Sequence, residues 1–326
     1  MTPTPTIRRV TPDDFEGLVT LYNEVWPKVS YDKKKKTNFV INESGGVSYC
    51  AEVNGRIMGS RTSYFQNMYY GTRSLKCIEM CDTCVHKSLR GQGIFKKMNT
   101  CVLDDFFKGQ NGDMIFNISV LASRKGNEKL GWHYINSLMA LRKFVRPFHT
   151  LFSIGFDIRK LSAPVVWDAS SQIIPINPQL IRARQQVMKS QDLLHIDYDA
   201  PTLEWRMKSD SGIKVNESEF GCVVYKQGMR NKLKEVLIGE IFLYDYTYAN
   251  FKKAVKHLKD LTRPDILSVH ISEGHPLRQF YDSSHFMTNP KQKYLHHGVR
   301  VESDEMKNIA YNPLCWAISS LDLDTF

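Results

Sequence analysis

The sequence predicts an α/β (α+β) chain, with mixed sheets flanked by helices, laid out as two successive domains. Three observations carry that expectation. The run CDTCVHKSLRGQGIFKKMNTCVLDDFF, from Cys81 to Phe107, reads as a buried strand, a glycine turn and a helix. Upstream, Asn54-Gly55 stands between alternating apolar residues, the signal of a type I′ hairpin. Downstream, a second series of strand and helix signals fills the C-terminal part in a similar order.

Each element has a local reason. Ile7 to Val10 is a first strand, and the aspartates after Pro12 cap a helix whose apolar stripe is Phe15, Leu18, Leu21, Tyr22 and Val25. Val47, Tyr49 and Ala51 alternate towards Asn54-Gly55, and Ile57 and Gly59 continue the return strand. Met80, Cys81, Cys84 and Val85 suit a buried strand. Gly91 and Gly93 break the periodicity, and Ile94, Phe95, Met98, Val102 and Phe106 then recur at helical spacing. A glycine turn at a helix N-terminus presents unpaired N–H groups at the positive end of the helix dipole, without Cβ obstruction, and so suits a pyrophosphate. MIFNISVL, from Met114, is a further buried strand.

Two nucleotide motifs are excluded at the turn. Arg90-Gly91-Gln92-Gly93-Ile94-Phe95 is neither a P-loop nor Gly-x-Gly-x-x-Gly. It resembles instead the Arg/Gln-x-x-Gly-x-Gly/Ala acyl-CoA signature of the GCN5-related N-acetyltransferase (GNAT) superfamily, with Phe95 where the family has Gly or Ala. NEKLGWHYI is similar to that family's closing helix, Leu-Gly-aromatic turn and next strand, so the resemblance covers roughly residues 5 to 150. It implies a GNAT acyl-CoA N-acyltransferase fold, acetyl-CoA as cosubstrate, direct attack of an amine on the thioester, and no metal.

The resemblance also implies roles. The turn from Arg90 to Phe95 would cradle CoA, and backbone groups at Cys84 and Val85 would meet the pantetheine arm and the thioester oxygen. Glu79, on the face of Val85 if alternation is strict, is the first choice of base. Asp82 is the second, on the opposite face. Asn127 stands where many members carry a tyrosine that protonates the leaving thiolate; either the thiolate leaves unassisted or another residue, Ser123 or Tyr134, serves in its place. Trp26, Tyr31 and Tyr64 are candidates to line the acceptor pocket. Phe95 adds bulk beside the phosphates, which would weaken or re-route the cosubstrate.

Several features invite other readings. Cys77, Cys81 and Cys84 have the spacing of an iron–sulfur site, but a strand would spread Cys77 and Cys81 about 13 Å apart; they are expected to be buried thiols acting as small apolar groups. Lys33 to Lys36 reads as a solvated loop. His270, Glu273 and His275 lack a zinc spacing. The chain has 326 residues and 44 basic against 34 acidic side chains, net +10, which favours anionic ligands. Seven cysteines without a signal-peptide core suggest a reducing cytoplasm, and no apolar run approaches a membrane span of about 20 residues. The expected partner is a small-molecule amine, such as an amino sugar or sugar nucleotide, with neither nucleic acid nor membrane involved.

Residues 1–150 are thus expected to form the acyl-CoA-binding domain and 151–195 a connecting segment, with a helix from Pro178. Residues 196–326 repeat hairpin, helix, strand, helix and strand, the last in KQKYLHH, but without the glycine cradle. They resemble a degenerate second GNAT copy.

Overall fold

The computed structural model describes residues 4–27, 32–208, 212–288 and 294–323. In chain order its strands begin with β1 (Thr6–Arg9), β2 (Tyr49–Val53), β3 (Arg56–Tyr70), β4 (Arg73–Val85) and β5 (Met114–Ser119). Next come β6 (His133–Ile135), β7 (Leu138–Phe144), β8 (Val166–Trp167), β9 (Leu194–Ile196) and β10 (Lys214–Ser218). The last are β11 (Gly221–Arg230), β12 (Leu233–Leu243), β13 (Ile266–Ser272), β14 (Met287–Thr288) and β15 (His296–Val301). The helices are α1 (Phe15–Val25), α2 (Lys33–Asn38), α3 (Ile94–Leu103), α4 (Leu121–Glu128), α5 (Pro147–Ile154) and α6 (Pro178–Lys189). They continue with α7 (Ala200–Lys208), α8 (Tyr248–Thr262), α9 (Arg278–Ser283) and α10 (Asp304–Ala310). Among the described residues no helix is long and apolar enough to cross a membrane.

The chain divides into two compact units that interleave. The first takes residues 1–68, 74–135 and 296–312, and the second takes 69–73, 136–295 and 313–326. Boundaries drawn along the sequence at 150 and 195 therefore do not coincide with the folded units. Residues 69–73 and 136–195 fall in the second unit and 296–312 in the first.

The first unit's sheet runs β1-β2-β3-β4-β5-β15-β6. The Asn54-Gly55 turn joins β2 to β3 with both residues at positive φ, as the hairpin signal predicts. Leu18, Leu21 and Tyr22 of α1 pack on one face with Cys50, Ile57 and Cys84. On the other face α3 buries Val102, with Phe106 just beyond its end, against Ile78, Met80 and Ile115. Alternation along the strands thus supplies two apolar faces, each with its own helix.

The second unit's sheet runs β10-β11-β12-β13-β7-β14, with β8 on β11. The order matches the first from its second strand onward: hairpin, parallel neighbour, an inserted strand, then a short last strand. Those inserted strands come from far along the chain. β7 pairs β13 from Leu138↔Ser272 to Phe144↔Ile266, while β15 pairs β5 from His296↔Ser119 to Val301↔Met114. The strand expected in KQKYLHH is accordingly β15, starting at His296 and completing the first sheet; residues 291–293 lie outside those described. Helix α6 begins at Pro178 as expected, with Asn177 as its cap.

The lysine run is a correction. Lys33–Lys36 form the start of α2, where a solvated loop is expected. Asp32 caps the helix by accepting from the Lys35 N–H, and Lys36 reaches Asp82 at 3.1 Å, so a local cap and one ion pair offset the repulsion within the run.

Candidate functional site

β4 and β5 begin as parallel neighbours and then separate. Their ladder runs only from Cys77↔Met114 to Glu79↔Phe116, although β4 continues to Val85 and β5 to Ser119. A wedge opens between them from Met80 onward. Just inside it Asp82 adopts φ +36°, a left-handed conformation rare for aspartate in a strand. Side-chain alternation slips there by one residue.

That slip corrects the parity argument. Ile78 and Met80 face α3, whereas Glu79 accepts hydrogen bonds from Tyr64 Oη at 2.6 Å and Gln66 Nε2 at 2.7 Å on the opposite face. Beyond the bulge Val85 packs with Leu89, Ile94 and Met98, on the α3 face. Glu79 and Val85 therefore lie on opposite faces, and Asp82, paired with Lys36 of α2, shares a face with Glu79.

On this α1–α2 face Glu79 is fully buried. Tyr64 is buried too, its ring edge-on to Phe39. The Asp82 carbonyl accepts from Ser60 Oγ at 2.9 Å and from Tyr22 Oη at 3.5 Å. Trp26 stacks on Tyr22, ring centroids 5.3 Å apart. Glu79, Asp82, Tyr64 and Trp26 thus gather around the bulge. Tyr31 lies outside the described residues.

The glycine turn is exposed. Gly91 and Gly93 have φ +81° and +72°, and a Cβ on either would project into open space rather than into protein. The turn leads into α3, whose first N–H groups have no preceding carbonyls to bond. Arg90 folds back through Nε to the Val85 carbonyl, Gln92 donates to the Ser88 carbonyl, and Ile94 anchors the helix in the core. Phe95 departs from the expectation of bulk over the phosphates. Its ring leans against α4 at Gly126, where a Cβ would come within 2.5 Å of it, so the turn itself stays clear.

The β5 side carries polar groups. Asn127, fully buried on α4, donates to Tyr134 Oη at 3.0 Å, and Ser119 Oγ lies 2.8 Å from the same oxygen. The side-chain oxygens of Asn127 and Asn117 are buried without a hydrogen-bond partner. Ser123 is half-buried on α4. Cys84 is buried beside Ser60 Oγ, and burial pushes its thiol up to about 12. Cys77, Cys81 and Cys84 all lie along β4 and are buried. His275 and Glu273 turn apart: His275 faces Glu240, while Glu273 accepts from Tyr294 Oη.

Sequence reasoning missed Arg61 of β3. It is 1% exposed, and its Nη1 donates to Thr83 Oγ1. Nothing in GSRTS marks it, because alternation cannot tell a buried arginine from an exposed one.

A parted central strand pair followed by a glycine turn into a helix defines a class of α/β folds able to seat an elongated, phosphate-bearing cosubstrate. The acetyltransferase (GNAT) domain model matches residues 6–135, which make up most of the first unit. Solved structures extend the likeness over both sheets. A GCN5-related N-acetyltransferase from Anabaena variabilis ATCC 29413 has a TM-score of 0.62 at 9% identity, covering 91% of this chain and 72% of that one. One from Kribbella flavida has 0.59 at 13%, covering 95% and 74%. The N-myristoyltransferase of Saccharomyces cerevisiae, solved with myristoyl-CoA, has 0.54 at 11%, covering 92% and 79%. At such identities the likeness is one of fold alone. No curated protein matches the sequence.

Proposed function

We propose that the first unit is an N-acyltransferase, moving an acyl group, acetyl in the simplest case, from CoA to a primary amine of a small molecule. The open wedge between β4 and β5, leading to the positive end of α3, is the observation that carries this reading. CoA fits what is present: an unobstructed glycine turn, and the orphaned oxygens of Asn117 and Asn127, which match N–H donors such as the pantetheine amides. When bound, CoA supplies an activated acyl group.

The protein's own residues then have the following parts. N–H groups of the turn from Gly91 to Phe95 hold the pyrophosphate. Backbone groups from Thr83 to Val85, freed from β5, orient the acyl carbonyl. Glu79, with Tyr64 and Gln66 bonded to one of its oxygens, takes up the amine proton. Asp82 is less suited, since its carboxylate is already engaged by Lys36 at 3.1 Å. Tyr134, its hydroxyl fixed by Asn127 and Ser119, donates a proton to the departing thiolate. The tyrosine that the resemblance places at Asn127 thus has a substitute on the next strand. The net charge of +10 favours an acceptor bearing an anionic group, such as an amino sugar nucleotide.

A second reading, an acyl-CoA-binding protein without turnover, is favoured by one observation: Phe95 closes the gap between α3 and α4. Calorimetric titration with CoA, followed by a thiol-release assay across a panel of amines, separates the two. Binding with release supports the transferase, binding without release the carrier, and no binding removes both.

A further inference from the structure

Arg61 is a buried cation with no counter-ion among the described residues. Among them its Nε and Nη2 have no hydrogen-bond partner, and the titratable side chains that act on it are Cys81 and Tyr134, neither a carboxylate. Its guanidinium carbon lies 5.9 Å from the centre of the Phe95 ring and 5.7 Å from that of Trp132. Burial draws its pKa down to about 10, which leaves it charged at neutral pH. Two buried arginines of the second unit differ in this: Arg184 pairs with Glu240 at 3.1 Å, and Arg230 with Glu235 through both Nε and Nη2.

Taking an ionised group out of water without a counter-charge costs several kcal/mol, and two cation–π contacts offset only part of it. A methionine would fill the same space without that cost. Arg61 also sits where the wedge begins, bonded to Thr83 one residue past the bulge. The two free groups, Nε and Nη2, form the side of the guanidinium that takes both oxygens of a carboxylate at once, as Arg230 does with Glu235.

Resting on the acyltransferase reading, we propose that Arg61 recognises a carboxylate brought into the wedge by one of the two substrates. Its source is either a dicarboxylic acyl group on the donor or a carboxylate on the acceptor amine. Phe95, half-buried over the guanidinium, has to swing away from Gly126 to admit it.

The test uses the full chain and the variants Arg61→Met, Arg61→Lys and Phe95→Ala. Calorimetry compares malonyl-CoA with acetyl-CoA and, with CoA present, lysine with cadaverine. The wild type is expected to prefer the carboxylate-bearing member of one pair at least tenfold; the pair identifies the source. Arg61→Met should abolish the preference, and Arg61→Lys, lacking the fork, should restore only part of it. Thermal unfolding gives an independent readout. Malonate alone should raise the melting midpoint of the wild type, more so in Phe95→Ala, and leave Arg61→Met unmoved. Without ligand, Arg61→Met should melt higher than wild type, whereas a merely structural arginine would make it melt lower. Intact CoA binding with neither a carboxylate preference nor a malonate shift overturns the role of Arg61 alone. A malonate shift dependent on Arg61 without any CoA binding overturns the acyltransferase reading instead.

Discussion

The two sheets part at the same place and do opposite things with the gap. In the first unit β4 leaves β5 after Glu79, Asp82 kinks the strand, and the space beyond stays lined by Thr83, Ser119 and Arg61. In the second unit β12 leaves β13 after Ile238↔Val269, and an extra residue, Gly239, bulges the strand before Glu240. There the chain fills its own wedge. Residues 318–320 lie along the freed edge of β13: Ser272 N–H donates to the Ile318 carbonyl, Ser319 bridges Ile271, and His270 N–H donates to Ser320 Oγ. Ser319 Oγ reaches across to Glu240 of β12 at 3.3 Å. A buried carboxylate sits beside that segment: Arg184 and His275 lie 3.1 and 3.5 Å from Glu240, whose carboxyl is held down to about 2 by His275 and Arg184 against its own desolvation. Two sheets of like strand order thus differ in the gap, open in one and filled by chain in the other. Among the described residues the first sheet leaves the edge of its parted strand free, whereas the second covers that edge with a segment of its own chain.

Opposite consequences for substitutions of buried carboxylates follow. Glu240→Ala should cost about 3–5 kcal/mol of stability, because it strands Arg184, and leave CoA affinity unchanged; denaturant unfolding and calorimetry check the pair of outcomes. In the open copy, Glu79→Gln keeps the hydrogen bonds to Tyr64 and Gln66. The rate of acyl transfer should fall about 100-fold, equivalent to about 2.7 kcal/mol, with CoA binding retained. A near-normal rate would reassign the proton acceptor.

The buried histidines put the comparison on a pH axis. Burial draws His270 of the second unit down to about 4 and His297 of the first to about 3, both below the unfolded value of about 6.5. Each contributes stability that is complete above pH 6.5 and is lost as the pH falls towards the folded pKa. Urea unfolding at pH 6.5 and pH 5 should therefore show a loss that His270→Gln and His297→Gln each reduce by about 2 kcal/mol. Equal reductions mean the two copies bury their histidines alike; an effect confined to one sharpens the contrast.

Smaller effects belong to the turn. Gly93→Val forces a β-branched residue to φ +72° and aims its side chain where phosphate oxygens would sit, so CoA affinity should fall at least tenfold, about 1.4 kcal/mol. Asn250→Val, at the corresponding helix start in the second copy, should leave CoA affinity unchanged. Calorimetry on folded proteins decides both.

Local chemistry made much of this legible. Asn54-Gly55 and Gly91-x-Gly93 announce positive φ wherever they occur, and the apolar stripes of α1 and α3 need no knowledge of their partners. What stayed hidden depends on distant residues. The face of Glu79 was misassigned because one left-handed residue, Asp82, reverses every side chain after it. The partners of β7 and β15 lie more than a hundred residues away in sequence, and β-strand periodicity says nothing about which edge a strand will join. Arg61 is an ordinary polar letter until its neighbours are known to lack a carboxylate.

The reciprocal placement of β7 and β15 has a bearing on biosynthesis. When a ribosome has finished residue 150, the nascent chain holds β5 and β6 but not the strand that separates them, and it holds β7 with no sheet to join. The first sheet can close only after His296–Val301 emerge, by which time β13 and β14 are ready for β7. Until then an exposed edge of β5 and an orphan strand coexist, a state prone to pairing with other chains. Completion of both sheets is thereby deferred until β13 to β15 have been made, and severing the chain between its halves would leave each fragment one strand short.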